Sequence, residues 1–237
     1  LGLLVVADGM GGHASGETAS KLAVNIIRDY FQSPQKVIGN YNHDYSEATN
    51  KLNSAISLAN RAVFEAAQSS PALKGMGTTV AAVLLNGNRL SIAHIGDSRV
   101  YLVRSGNIEQ LTDDHSIVNE QLKRDMITKE EAAHSTMKNI LTKALGISLE
   151  MEADLDELTM FGDDILLLCS DGLTTMVTDE AILEIISFAS DPAAACDSLI
   201  NAANEKGGPD NITVVLGYLK KRKWYSALFK FMKALRR

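Results

Sequence analysis

Three aspartates share one local setting. Asp8 ends the apolar run Leu3 to Ala7 and leads into Gly9-Met10-Gly11-Gly12. Asp171 follows the apolar run Ile165 to Cys169 in Ser170-Asp171-Gly172, and Asp210 precedes the run Ile212 to Leu219 in Gly207-Gly208-Pro209-Asp210-Asn211. A fourth, Asp114, lies in Leu111-Thr112-Asp113-Asp114-His115. Hard divalent ions such as Mg2+ and Mn2+ take oxygen ligands, and clustered carboxylates repel one another unless a cation compensates them. Two such ions about 4 Å apart activate a water and neutralise phosphate oxygens during in-line attack. An isolated Asp-Gly is ordinarily a turn. On residue types alone, a hydrolytic two-metal site and a set of turns remain two open readings.

Positioning these groups requires strand ends that meet. Leu3 to Ala7 reads as a strand buried on both faces. A helix follows from about Ser15, which is expected to cap it, with Leu22, Ala23, Ile26, Ile27 and Tyr30 as its apolar stripe. Pro34 to Asp44 reads as a polar loop, and a second helix spans about Ser46 to Gln68. Strands then run from Thr78 to Leu85, Leu90 to Ile95, Val100 to Arg104 and Ile108 to Leu111, with Asn86-Gly87 as a hairpin turn. They read as one meander, in which Gly96-Asp97-Ser98-Arg99 makes a tight turn between neighbours. Residues 113–148 are a polar, helix-leaning insertion. Glu152 to Leu158 and Ile165 to Cys169 read as a strand pair. Helices over Thr178 to Ala189 and from Asp191-Pro192 to Gly207 precede a last strand, Ile212 to Leu219. Single helices do not alternate with strands, which argues against a doubly wound parallel sheet and for antiparallel sheets covered by helix pairs.

Composition narrows the function classes. The chain has 237 residues and a net charge of -6. Eight of its 23 Lys and Arg residues lie in Lys220–Arg237, which holds no acid, so 15 basic residues face 29 acidic ones in the preceding 219. An acidic body is a poor nucleic-acid surface, because phosphates need Lys and Arg. Cys169 and Cys196 are too few for a disulfide scaffold and fit a reducing cytosol. Cys169, inside an apolar strand, reads as a buried neutral thiol. No apolar run approaches the ~18 residues of a membrane span, and no signal peptide stands at the start. The chain opens on Leu1 rather than Met, so an upstream segment is expected.

Six segments, taken in order, resemble the metal-dependent protein serine/threonine phosphatases of the PPM or 2C type, especially their compact bacterial members. They are Val6-Ala7-Asp8-Gly9-Met10-Gly11-Gly12-His13, Gly77-Thr78-Thr79, Ile95-Gly96-Asp97-Ser98-Arg99, Leu111 to Ser116, Ser170-Asp171-Gly172-Leu173, and Gly208 to Thr213. The resemblance implies an α+β fold, a four-layer α-β-β-α sandwich of two mostly antiparallel sheets flanked by helix pairs. It implies a phosphatase domain over residues 1–219, with a flap at 113–148 beside the active site, and a separate tail at 220–237. Asp8, Asp171 and Asp210 would be catalytic as metal ligands. Asp8 would bridge two Mg2+ or Mn2+ ions, with the Gly9 carbonyl on one and Asp171 and Asp210 on the other. A third, weaker ion would use Asp171 and Asp114. A bridging water would attack phosphoserine or phosphothreonine directly. Asn211 would orient Asp210 or a bound water. Thr78 and Thr79 would pack near the site, His115 would be structural, and His13 would start a helix. Lys123, Arg124 and Lys129 of the flap could meet an acidic phosphopeptide, against the plainer reading of a solvated helix face.

The sequence also departs from that pattern. The family carries an upstream strand pair with an Arg that grips the substrate phosphate, and no residue here corresponds. The expectation is weaker substrate binding by this 237-residue chain and a sheet lacking edge or central strands. Met10 stands where many eukaryotic relatives have a His proposed as general acid, so that proton is expected from elsewhere. In the flap, Asp125 replaces a usual Gly, and His134-Ser135-Thr136-Met137-Lys138-Asn139 is one residue longer than the usual run before Asn. The competing reading is a non-catalytic phosphoprotein-binding pseudophosphatase. A nuclease is weaker, since it wants basic surface. Expected partners are phosphoserine and phosphothreonine proteins, a paired Ser/Thr kinase among them, with no nucleic acid and a monomeric chain. In the tail, Trp224, Ala227, Leu228, Phe231, Met232 and Leu235 would share one helical face among cations. Such a helix suits anionic lipid, an acidic partner or its own domain, and would make a cytoplasmic protein peripheral at the inner face of the membrane.

Overall fold

The structure is a computed structural model describing residues 2–33, 37, 39 and 41–219. The cationic segment 220–237 and the helix expected in it lie outside the described residues. The strands are β1 (Gly2–Val6), β2 (Gly9–Met10), β3 (Gly77–Thr78), β4 (Val80–Asn86), β5 (Arg89–Ile95), β6 (Arg99–Arg104), β7 (Asn107–Gln110), β8 (Asp154–Thr159), β9 (Ile165–Cys169) and β10 (Val214–Tyr218). The helices are α1 (His13–Gln32), α2 (Glu47–Ser69), α3 (Ile117–Lys123), α4 (Lys129–His134), α5 (Asp171–Thr174), α6 (Asp179–Phe188) and α7 (Pro192–Glu205).

Two antiparallel sheets stack face to face. One has the order β1-β4-β5-β8 and the other β10-β9-β6-β7, with β2 and β3 as a small separate pair. Side chains alternate between two cores, which accounts for the uninterrupted apolar runs. In β4, Val80, Ala82 and Leu84 pack under α1 and α2, while Ala81 and Val83 face the other sheet. In β9, Leu166 and Leu168 face inward, and Leu167 and Cys169 pack under α6 and α7. The expected four-layer α-β-β-α sandwich is the observed fold.

Several local expectations change. The meander breaks at residues 96–98, because β5 and β6 lie in different sheets and that short link crosses between them. The expected pairing of the strands near 152–158 and 165–169 is replaced for the same reason: β8 pairs with β5, and β9 pairs with β6 and β10. Ser15 lies inside α1, not at its cap. Gly12 is the N-cap, and the Ser15 hydroxyl donates back to the Gly11 carbonyl. The β4–β5 hairpin turns at Gly87-Asn88, since Asn86 pairs with Arg89. Strand β1 is an edge strand and only half-buried along most of its length. Ser46, Thr178 and Asp191 cap α2, α6 and α7 through their side chains, as their sequence positions suggest.

Register sets where the catalytic candidates fall. Val6 pairs with Ala81 and Val80 with Ile95, so β1 and β5 finish at one end of the first sheet. Cys169 pairs with both Arg99 and Val214, so β9 finishes where β6 and β10 begin. The loops bearing Asp8, Asp97, Asp171 and Asp210 therefore emerge at strand ends that are level within each sheet.

Candidate metal centre

Each of these loops is held by backbone and hydroxyl groups of its neighbours. The Asp8 N–H donates to Thr79 Oγ1 at 3.0 Å. The Asp8 carbonyl accepts from the Thr79 N–H at 2.8 Å and from Thr78 Oγ1 at 2.9 Å. Thr79 Oγ1 also shares a hydrogen bond of 2.6 Å with Ser98 Oγ, which ties the Asp8 turn to the link between the sheets. Gly96 has φ +100°, and a Cβ there would lie 2.6 Å from Thr79 Cγ2, so only glycine allows this approach. The other pair of loops is stapled by Ser170. Its hydroxyl donates to the Asn211 carbonyl at 3.0 Å and accepts from the Thr213 N–H at 3.0 Å. A Cβ on Gly172 would sit 2.4 Å from the Asn211 carbonyl oxygen, so the Asp171 and Asp210 loops are in backbone contact. Gly9 is pressed on α1 in the same way, its carbonyl oxygen lying 2.7 Å from where a Gly16 Cβ would be.

The resulting electrostatics are those of uncompensated like charges. Asp8 is raised from 3.8 to about 7, first by burial and then by the charges of Asp171 and Asp210. Asp171 is raised by burial and by Asp210. Asp97 is also raised to about 7, by burial and then by Asp171, Asp114 and Asp8. Among the described residues, Asp171 Oδ1 is a buried oxygen with no hydrogen-bond partner. An all-oxygen donor set with mutual repulsion and an orphaned buried lone pair fits hard divalent cations.

Two residues have neighbours here that the sequence did not show. Asp97, read as a turn residue, belongs to the carboxylate cluster. Asp114, read as a ligand of a third ion, is already neutralised by a guanidinium. Arg99 Nε donates to Asp114 Oδ1 at 2.9 Å and Arg99 Nη2 to Asp114 Oδ2 at 2.7 Å. Gln110 Nε2 adds a third donor to Asp114 at 3.0 Å. Arg99 Nη1 continues to Tyr101 Oη at 2.8 Å, and Tyr101 Oη donates to Asp179 Oδ1 at 2.9 Å. Asn211 acts on Asp210 through its backbone, its N–H donating to Asp210 Oδ1 at 2.7 Å. Cys169 is fully buried, and burial pushes its thiol up to about 12, as a structural thiol requires. Helix α1 begins at His13, as expected.

A cleft of about 330 Å3 is lined by Asp97, Asp171 and the Arg99–Asp114 pair together with Leu122, Lys138 and Asn139 of the 113–148 insertion. The cationic residues singled out by sequence are largely engaged elsewhere. Lys123 pairs with Asp113 at 3.1 Å, and Arg124 with Glu120 at 3.5 Å along α3. Lys129 opens α4 and borders a shallower depression lined by Leu122 and Glu131, apart from the carboxylates. Lys138, which sequence reasoning passed over, lines the cleft itself. The only hint was its place in the segment that departs from the family length.

Paired sheets with carboxylate loops at their joined ends define a phosphatase scaffold, and the comparisons agree. The family model described as protein phosphatase 2C matches residues 1–208, and the chain belongs to that family. It is 39% identical over 214 residues to the serine/threonine phosphatase stp of Listeria monocytogenes, covering 90% of this chain and 83% of that protein. It is similarly 39% identical to the serine/threonine protein phosphatase PstP of Mycobacterium tuberculosis, covering 90% of this chain and 40% of that longer protein. The crystal structure of the Mycobacterium tuberculosis phosphatase PstP/Ppp superposes with a TM-score of 0.82 at 38% identity, over 92% of this chain and 88% of that one. Stp1 of Staphylococcus aureus superposes with a TM-score of 0.83 at 35% identity, over 92% of this chain and 84% of that one.

Proposed function

We propose that this chain hydrolyses phosphoserine and phosphothreonine in proteins, with Asp8, Asp171 and Asp210 holding two Mg2+ or Mn2+ ions and Asp97 adding an oxygen for a third. The observation that carries the reading is the cluster itself: half-buried carboxylates that raise one another's pKa around an oxygen without a partner. The catalytic domain of PstP has been crystallised in complex with two manganese ions, at a TM-score of 0.81 to this chain. When bound, such ions supply charge to the phosphate oxygens and acidity to a water positioned for in-line attack.

The chain's own groups do the rest. The Gly9 carbonyl is a further oxygen donor toward the ions. Thr78, Thr79 and Ser98 hold the Asp8 loop, and Ser170 holds Asp171 beside Asp210, so the ligand oxygens need little rearrangement. The Arg99–Asp114 pair borders the cleft with a net charge near zero. Lys138 supplies a cation at the wall of the cleft that faces the incoming phosphopeptide. Lys123, Arg124 and Lys129 serve the flap's own surface. Residues 1–219 form the phosphatase domain, with 113–148 as its flap. Hydrolysis of a phosphothreonine peptide in Mn2+, abolished by chelator and by Asp8→Asn, tests the reading. Turnover that survives both would sink it. A pseudophosphatase has no need to retain repelling carboxylates, and peptide binding without turnover in Mn2+ would be its mark.

Among the described residues no helix is long and apolar enough to cross a membrane. Our reading of partners and location rests on sequence: a monomer that acts on phosphoproteins including a paired kinase, with the cationic segment 220–237 drawn to anionic lipid or an acidic partner. Cosedimentation with vesicles containing anionic lipid tests the last point. Equal binding by a chain ending at Leu219 would remove it.

A further inference from the structure

Two buried histidines lie behind the carboxylate loops, and backbone partners settle their tautomers. His94 Nε2 lies 2.9 Å from the Asp113 carbonyl oxygen, which can only accept, so Nε2 carries a hydrogen. The Gly96 N–H points at His115 Nδ1 at 3.1 Å and can only donate, so Nδ1 carries the lone pair. The hydrogen of neutral His115 is then on Nε2, which lies 3.2 Å from Asp154 Oδ2 without the alignment of a good hydrogen bond. The rings stack, centroids 4.9 Å apart and 13° from parallel. Potential ligand atoms of His94, His115 and Asp154 come within 4.8 Å of one another. A metal ion is a poor occupant all the same. With Nδ1 already accepting from Gly96, a metal on Nε2 would require an imidazolate.

The geometry points instead to a clamp. The Gly96 N–H is taken by the His115 side chain, and the Gly96 carbonyl accepts from the His115 N–H at 3.0 Å. Both polar groups of Gly96 are thus held by one residue. On either side of this double contact stand Asp97, facing Asp8 and Asp171, and Asp114, which holds Arg99. The His115 carbonyl in turn accepts from the Thr142 N–H at 2.8 Å, at the far end of the flap. Lys143, one residue on, pairs at 2.9 Å with Asp154, which faces His115 Nε2.

We propose that His115 is the positioning residue for Asp97: it locks the Gly96 peptide from both sides and so fixes the Asp97 carboxylate against its neighbours. The role rests on the reading of Asp97 as a metal ligand. Outer partners of ligands typically contribute a 10–100-fold effect on metal affinity. Three variants separate the contributions. His115→Asn keeps an acceptor where Nδ1 stands, His115→Gln keeps a polar group only toward Asp154, and His115→Ala keeps neither.

The readouts are Gly96 amide exchange by NMR in the metal-free protein and Mn2+ titration calorimetry. In His115→Ala and His115→Gln, Gly96 exchange should quicken at least ~10-fold and the weakest Mn2+ site should weaken about 10-fold or more. His115→Asn should restore most of both. If the alanine variant does not fold, the Asn–Gln contrast carries the test. Unchanged Gly96 exchange, or Mn2+ affinity equal in the Asn and Gln variants, overturns the proposal. Asp97→Asn should lose the same weak site. If it does not, the ligand reading of Asp97 falls and takes the positioning role with it. If Asp97→Asn loses that site while His115→Gln keeps it, only the positioning role falls.

Discussion

The carboxylate end and the flap are built by opposite rules. At the carboxylate end, buried hydroxyls of Thr78, Thr79, Ser98 and Ser170 are all hydrogen-bonded, and glycines bring backbones together. Strong repulsion is held there in a fixed frame. The flap spans two short helices in which Val118 and Ala132 are buried, with Ala144 and Leu145 buried where it rejoins the body, and Met126, Met137 and Ile140 are exposed. It is closed at its base, where the Ile117 N–H meets the Ile140 carbonyl at 2.9 Å and the Thr142 N–H meets the His115 carbonyl at 2.8 Å. Under the proposed function, a fixed frame suits groups that must be placed precisely, while a loosely packed segment suits peptides of varied sequence.

The largest expected effect strikes the rigid end. Asp171→Asn should lower turnover of a phosphopeptide in Mn2+ by about a thousandfold. The melting temperature of the metal-free protein should hold or rise, because repulsion is relieved. A fall in both would mean that Asp171 supports the fold rather than the reaction. The same repulsion sets a pH dependence. Asp8 goes from 3.8 unfolded to about 7 folded, so in the metal-free protein it binds more protons folded than unfolded between those values. Its stabilising contribution is therefore complete below about pH 4 and is lost as pH rises through about 7. The difference in melting temperature between the wild type and Asp8→Asn should shift against the wild type over that window. Saturating Mn2+ should abolish the shift.

Next in size is Ser170→Ala, which removes two hydrogen bonds and strands the Asn211 carbonyl and Thr213 N–H. Urea unfolding should register a loss of about 1–3 kcal/mol. Asp125→Gly should act in the other direction. Asp125 has φ 53°, in the left-handed region that glycine enters freely, so the flap should gain about 1 kcal/mol by the same measurement. The smallest effect belongs to the exposed pairs. Lys123→Ala and Arg124→Ala should each change stability by under ~1 kcal/mol, whereas Lys138→Ala should raise KM for an acidic phosphopeptide and leave kcat near its wild-type value. A larger KM effect at Lys123 than at Lys138 would reverse the assignment of the cleft wall.

The fold was legible where periodicity and caps spoke plainly. Ser46, Thr178 and Asp191 announced three helices, and Asp8, Asp171 and Asp210 announced themselves by glycines at strand ends. Asp97 was hidden by topology. Strands β5 and β6 are apolar on both faces because both cores are, so nothing in their alternation marks a change of sheet. A Gly-Asp-Ser link between such strands looks like a hairpin turn. The same blindness paired β8 with β9. The pairing of Asp114 was equally hidden: its local motif is acidic, whereas its partner Arg99 lies 15 residues away and approaches only when β6 and the following loop are assembled.

The Ser170 staple joins residues 41 and 43 positions apart, and the Asp8–Thr79 contacts span about 70. These separations match those of the strand pairings themselves, Val6 with Ala81 and Cys169 with Val214. Loop closure of that length must therefore be met before the negative charges crowd together, so the crowding belongs to the assembled sheets and not to local chain segments. Divalent ions, which need the finished cluster, should then leave the folding rate nearly untouched and slow unfolding instead. For this molecule the metal would be a lock on the completed structure, not a template for reaching it.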